Sequence, residues 1–180
     1  MECFVTEKFN KSLLPDIIDK SECRLREGVA EFLKLAYENK IPVLIFSGGI
    51  KEMIDSILIQ NGCSYDNISV IANTLRFDQD GMIIGVVEPL ITASTKLEVA
   101  KGNVYFKDNV KRDQVLLLGD MMTDLKMAEC CTYERLLTVG FLNEVKGDNE
   151  RDYMEAFDLV LKGNQGFEVI NDLFKEILGN

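Results

Sequence analysis

The chain has 180 residues, 47% of them apolar and 28% charged, enough for one folded domain with a proper core and at most a small appendage. Thirty acidic against twenty basic residues leave a formal charge of −10, which excludes nucleic acid or an anionic membrane as the principal partner, since either needs a basic face. A phosphorylated small molecule stays open, because a local cation can override a global excess of acid.

Taken in chain order, residues 9–39 read as helical. Leu13, Leu14, Ile17 and Ile18 form one apolar stripe, Val29, Phe32, Leu33 and Ala36 another, and Gly28 breaks the two. Ile41–Phe46 is a short buried strand with Pro42 tolerated near its start. Ser47-Gly48-Gly49 follows it, and Ile50 to Gln60 reads as a helix. Ser69–Ala72 is a second strand. Leu75 to Gly85 reads as a β-hairpin turning at Asp80-Gly81. Asp78-Gln79-Asp80 therefore belongs to a turn rather than to a catalytic D-x-D, since no buried strand leads into it. Lys96 opens a helix through about Phe106, and Val115–Leu118 is a strand buried on both faces. Leu125–Cys130 begins another helix, while Leu136–Phe141 and Phe157–Leu161 are further strands. Asn143 to Arg151 reads as a polar linker, and a terminal amphipathic helix carries Val169, Ile170, Leu173, Phe174, Ile177 and Leu178. Strands alternating with helices predict an α/β fold, a Rossmann-like parallel sheet flanked by helices with the hairpin as an insertion.

No apolar run approaches the roughly 20 residues of a membrane-spanning helix, and the mixed, acidic N-terminus does not read as a signal peptide. The cysteines (Cys3, Cys23, Cys63, Cys130, Cys131) show no C-x-x-C spacing and are read as reduced thiols of a cytoplasmic protein. The sequence contains no histidine. Ser-His-Asp and Cys-His mechanisms are excluded, and acid–base work falls to carboxylates or lysine.

Three elements carry candidate chemistry. Gly119 ends a buried strand, and Asp120 and Asp124 follow four residues apart. Ligands of open α/β sheets lie beyond the carboxyl ends of strands, where two carboxylates suit Mg²⁺ together with phosphate oxygens. Helix capping is the competing reading. Ser47 and Gly48 could offer a hydroxyl and a backbone N–H to an anion, or Ser47 could simply cap the next helix. Lys96 at a helix start opposes the helix dipole, which points to a tertiary partner such as phosphate or a carboxylate; a solvated surface lysine is the alternative.

In this order the elements resemble motifs II, III and IV of the haloacid-dehalogenase superfamily of phosphatases. Leu25–Gly28, Ile41–Ile50, Phe77–Gly81, Leu116–Asp120, Gly140–Asn143 and Tyr153–Leu161 are similar to segments of the cytosolic 5′-nucleotidase III (pyrimidine 5′-nucleotidase) family. The resemblance implies a HAD-like core over residues 25–180, with residues 1–24 a remnant of a helical cap. It implies hydrolysis of a nucleoside 5′-monophosphate, the base a pyrimidine, through an aspartyl-phosphate with Mg²⁺ as cofactor. Ser47, Gly48 and Lys96 would hold the phosphate. Asp120 would bind the metal, and Asp124 would position Lys96 or a metal-bound water, making Lys96 and Asp124 the catalytic pair.

The superfamily's nucleophile is the first aspartate of a D-x-D-x-[TS] motif on the first strand. This sequence contains no such motif, and in the family it precedes the Leu25–Gly28 segment. The core is thus expected to lack its first strand, and the chain to be a truncated form. A natural non-catalytic phosphate- or nucleotide-binding protein, and a nucleophile supplied by another polypeptide, are the competing accounts. A phosphoserine-phosphatase-like member of the superfamily is the alternative enzyme. The final motif also departs from the usual Gly-Asp-Ser-x-Gly-Asp, with Met121 expected to crowd the metal side. The oligomeric state is not legible.

Overall fold

A computed structural model of the chain describes residues 9–21, 23–108 and 111–179. They fall into two compact units, one of the described residues up to Thr92 together with those from Gly166 on, the other of those from Ala93 to Gln165.

In the first unit a 3-10 turn, Lys11–Leu13, leads into α1, Leu14–Lys20. The stretch expected to be helical to residue 39 resumes only at α2, Val29–Glu38. Gly28, the break read in the sequence, is the residue that immediately precedes α2. Its φ is +79°, and a Cβ there would lie 3.0 Å from the Phe167 Cβ. β1 spans Val43–Ile50 and pairs in parallel with β2, Ile68–Asn73. β1 runs through Ser47-Gly48-Gly49, with an irregularity between Phe46 and Ile50, so α3 starts at Lys51 and ends at Gln60. The expectation of a helix from Ile50 is corrected by one residue, and Ser47 is not its cap. The hairpin is present as β3, Leu75–Phe77, antiparallel to β4, Ile83–Val86. Asp78 closes its turn by accepting the N–H groups of Asp80 and Met82 at 3.0 and 2.8 Å. α7, Glu168–Leu178, completes the unit. Its Phe174 and the preceding Phe167 pack on Phe32 of α2 at ring separations of 4.9 and 5.6 Å.

In the second unit the helix expected over residues 96–106 is two helices, α4, Lys96–Gly102, and α5, Val104–Asp108. Asn103 divides them, its side-chain oxygen accepting the Tyr105 N–H at 2.9 Å as helix-capping asparagines do. β5, Lys111–Gly119, β6, Thr132–Leu142, and β7, Leu159–Lys162, form a parallel sheet in that order. Between β5 and β6 runs a 3-10 helix, Met122–Cys130. The segment read as linker to Arg151 ends in a helix, α6, Asn149–Ala156. Each unit therefore contributes parallel strands connected by helices, the α/β organisation expected.

A polar clasp fastens β7 to β6. The Thr138 N–H and Oγ1 donate to the Asp158 Oδ2 at 2.8 and 2.7 Å, and the Asp158 N–H donates back to Oγ1 at 2.9 Å. These bonds hold the Asp158 carboxyl below the usual carboxylate range. A depressed folded value means stability that is present above the unfolded value and lost as pH falls through the folded one. Thr138→Val, at a buried position, is expected to cost about 1–2 kcal/mol at neutral pH. It should also flatten the acid limb of the stability profile below about pH 4. Urea unfolding at pH 7 and pH 3 checks both.

Among the described residues, Cys63 is buried, Cys130 and Cys131 are half-buried, and all are free thiols along with Cys23. Burial pushes the Cys63, Cys130 and Cys131 thiols up, away from the reactive thiolate. Cys3 lies outside the described residues. No helix among those described is long and apolar enough to cross a membrane.

Candidate phosphate and metal site

β5 delivers a loop in which the polar groups of Asp124 are fully engaged. The strand expected to be buried on both faces pairs with β6 alone among the described residues, and its four aliphatic residues, Val115 to Leu118, are half-buried; Gly119 then releases the chain into Asp120 and the 3-10 helix. Asp124 sits in the first turn of that helix and is only 6% exposed. One of its oxygens, Oδ1, accepts the Lys96 ammonium at 2.6 Å. The other, Oδ2, accepts the N–H groups of Asp120 and Met121, each at 3.1 Å. The carboxylate is thus both a cap for its own loop and the partner of a lysine on another element.

Lys96 is the first residue of α4, where its charge is unfavourable to the helix dipole. The ion pair supplies the tertiary reason. Lys96 and Asp124 side chains are 17% and 9% exposed, so the pair is largely removed from water and its geometry is held firmly.

Gly119 permits this arrangement. A Cβ at Gly119 would lie 2.6 Å from the Asp124 Cβ and 2.8 Å from its Oδ2. Asp120, by contrast, is exposed, and its carboxylate makes no hydrogen bond or ion pair among the described residues. Met121 is 41% exposed.

Tyr153, on α6, is a residue that sequence reasoning did not single out. Its hydroxyl donates to the Asp120 main-chain carbonyl, and its ring stacks on Phe157 at 5.4 Å. Phe157 in turn lies on Gly140, where a Cβ would be 2.6 Å from the ring. Burial, then the Asp120 and Asp124 charges, push the Tyr153 hydroxyl up, keeping it a donor. The polar composition of its helix hid it.

The Ser47-Gly48 element lies in the first unit. Ser47 is half-buried, Gly48 and Gly49 are exposed, and the Ser47 Oγ accepts the Gly49 N–H at 3.0 Å. The structure therefore brings Lys96, Asp120 and Asp124 together within one unit and places Ser47 and Gly48 on the other.

Among the described residues no three carboxylate or thiol groups cluster as a self-sufficient metal cage. Asp124 is saturated by Lys96 and two N–H groups, which leaves Asp120 as the free carboxylate of the loop. One carboxylate fits Mg²⁺, which keeps several waters and shares its sphere with substrate phosphates. It fits poorly any metal that needs a full protein shell.

The profile of the pyrimidine 5′-nucleotidase (UMPH-1) family matches residues 2–178. A Gallus gallus protein described as 7-methylguanosine phosphate-specific 5′-nucleotidase is 31% identical over 179 residues, 98% of this chain and 62% of its own length. The crystal structure of cytosolic 5′-nucleotidase IIIB bound to cytidine superposes with a TM-score of 0.77 at 26% identity, over 94% of this chain and 56% of that one. A phosphoserine phosphohydrolase-like protein from Francisella tularensis, with TM-score 0.56 and 17% identity over 92% of this chain and 69% of that one, shares the fold. The chain spans about three fifths of the length of the curated relative it matches.

Proposed function

Because this chain belongs to the pyrimidine 5′-nucleotidase family, we propose that it forms the phosphate- and metal-binding part of a 5′-nucleotidase that hydrolyses nucleoside 5′-monophosphates. The observation that carries the reading is the largely buried Lys96–Asp124 pair at 2.6 Å beside an Asp120 carboxylate that has no partner among the described residues. A structural ion pair alone would not need a free carboxylate next to it at a strand's carboxyl end.

In this reading the Lys96 ammonium, oriented by Asp124, neutralises charge on the phosphoryl oxygens, the kind of stabilisation that dominates phosphoryl transfer. The Ser47 hydroxyl and the Gly48 N–H donate to phosphate oxygens. Asp120 holds Mg²⁺, which when bound neutralises phosphate charge. Tyr153 fixes the main chain that carries Asp120. The attacking aspartate of a D-x-D-x-[TS] motif is absent from this sequence, so residues 25–180 are read as a core completed by a segment bearing that motif, with residues 1–24 the end of a cap. The base is read as a pyrimidine and the setting as cytoplasmic.

The test is phosphate release from UMP, CMP and 7-methylguanosine monophosphate with Mg²⁺. It compares the chain alone with a fusion placing the amino-terminal segment of the Gallus gallus relative ahead of residue 25. The reading predicts release by the fusion, with the pyrimidine nucleotides preferred, and none by the chain alone. A fusion that folds and releases no phosphate from any of the three contradicts it. Preference for the methylated purine overturns the base assignment and keeps the rest.

A further inference from the structure

Asn73 is the last residue of β2, is 2% exposed, and has no place in the chemistry above. Its side-chain amide donates to the carbonyls of Gly48 at 2.8 Å and Ile91 at 2.9 Å, and its oxygen accepts the Ile91 N–H at 2.8 Å. Fastening the Ile91 segment would occupy the oxygen and one amide proton. The second proton goes instead to the loop that carries Ser47.

That choice has a consequence fixed by covalent geometry. In a planar trans peptide the C=O and N–H point in opposite directions. Drawing the Gly48 carbonyl toward buried Asn73 therefore turns the Gly49 N–H of the same peptide the other way. This is the N–H that donates to the Ser47 Oγ at 3.0 Å. A hydroxyl has one proton and two acceptor sites. Accepting from Gly49 fixes Oγ in place and leaves its proton for another acceptor. A hydrogen bond at the carbonyl also polarises the peptide and strengthens its N–H as a donor.

The glycines are consistent with this linkage. A Cβ at Gly48 would lie 3.2 Å from the Ile91 carbonyl oxygen that Asn73 holds, and a Cβ at Gly49 would lie 3.1 Å from the Ser47 Oγ. Both distances are tight, so the loop closes on its two anchors only with little or nothing at these positions.

We propose that Asn73 is a positioning residue: through the Gly48–Gly49 peptide it sets the Ser47 hydroxyl as a donor to a phosphate oxygen. The inference rests on the reading of Ser47 as a phosphate ligand. Its test uses the full 180-residue chain with Asn73→Asp, which keeps the shape and removes both N–H donors. Asn73→Ser, which leaves room for water, serves if the first variant does not fold. Two quantities are read below the unfolding transition: the Gly49 amide exchange rate by NMR, and the affinity for inorganic phosphate by calorimetry.

The expected result is Gly49 exchange about tenfold faster and phosphate binding about tenfold weaker in a folded variant. A variant with a lower unfolding midpoint but unchanged Gly49 exchange and unchanged phosphate affinity overturns the proposal, because Asn73 would then only fasten the strands. Ser47→Ala with Asn73 intact separates the two claims. If it leaves phosphate affinity unchanged, the reading of Ser47 fails, while the Gly49 exchange rate in the Asn73 variant still decides whether the peptide linkage exists.

Discussion

Replacing Lys96 by methionine in the fusion enzyme is expected to lower kcat by about a hundred- to a thousandfold, the cost of removing one preorganised charge from a developing phosphoryl centre. KM should rise less, because the charge matters most where negative charge accumulates. The same substitution leaves Asp124, 6% exposed, without its cation. Breaking a buried pair by removing one partner costs about 3–5 kcal/mol. The value here should sit near the lower end, since the N–H groups of Asp120 and Met121 still satisfy Oδ2. Lys96→Arg should not restore the rate, because a planar guanidinium cannot occupy the space of a compact ammonium held at 2.6 Å. Steady-state kinetics and urea unfolding of the variants measure the two effects separately.

Gly119→Ala is expected to have a large effect for a substitution that adds only a methyl group. The new Cβ would stand 2.6 Å from the Asp124 Cβ and 3.1 Å from its Cγ. Asp124 cannot yield easily, being tied to Lys96 on one side and to two N–H groups on the other. Overpacking of this kind costs about 1–3 kcal/mol, and the displaced carboxylate would misalign Lys96. Phosphate release should fall together with the unfolding midpoint. Gly102→Ala is the control. Nothing lies within 4 Å of a Cβ at that helical position, so the change should be neutral or stabilise by up to about 1 kcal/mol. Equal effects at both positions would show that Gly119 is not specially constrained.

Much of this organisation is written in the sequence as hydrophobic pattern. Val115 to Leu118 and Ile41 to Phe46 announce strands as continuous apolar runs, although neither run holds a buried residue and β1 starts only at Val43, and Asp80-Gly81 announces its turn. What the pattern hides is set by backbone pairing and by single polar side chains. β5 and β6 begin earlier than their apolar residues, with Gln114 opposite Arg135 and Arg112 opposite Tyr133. A ladder of main-chain bonds sustains these polar ends, and no hydrophobic signal marks it. α6, Asn149–Ala156, has no buried residue and is half charged, so its first turn reads as linker to Arg151 and no apolar stripe marks the helix that carries Tyr153. Asn103 splits a helix that periodicity alone continues.

The candidate site was legible for a different reason. Asp120, Asp124 and Lys96 stand at a strand's end and at helix starts, and Ser47 opens the glycine pair within β1, so chain position and residue type mark them even though Asp124 also caps its own loop. The residues that orient them were not legible. Asn73 acts through a peptide from another strand, and Tyr153 acts on a main-chain carbonyl 33 positions away. Neither relation leaves a spacing in the sequence. The 3-10 form of the helix after Asp120 was also unexpected; it places Asp124 so that one oxygen reaches back to two N–H groups while the other faces Lys96.

The most direct test of the central claim is the Mg²⁺ dependence of phosphate release from CMP by the fusion enzyme, with and without Asp120→Asn. Asp120 is exposed and its carboxylate is uncommitted among the described residues, so the substitution should leave the unfolding midpoint nearly unchanged. The account predicts Mg²⁺-dependent release that the substitution reduces by about a hundredfold or more. Release that needs no Mg²⁺, or that Asp120→Asn leaves untouched, would contradict it.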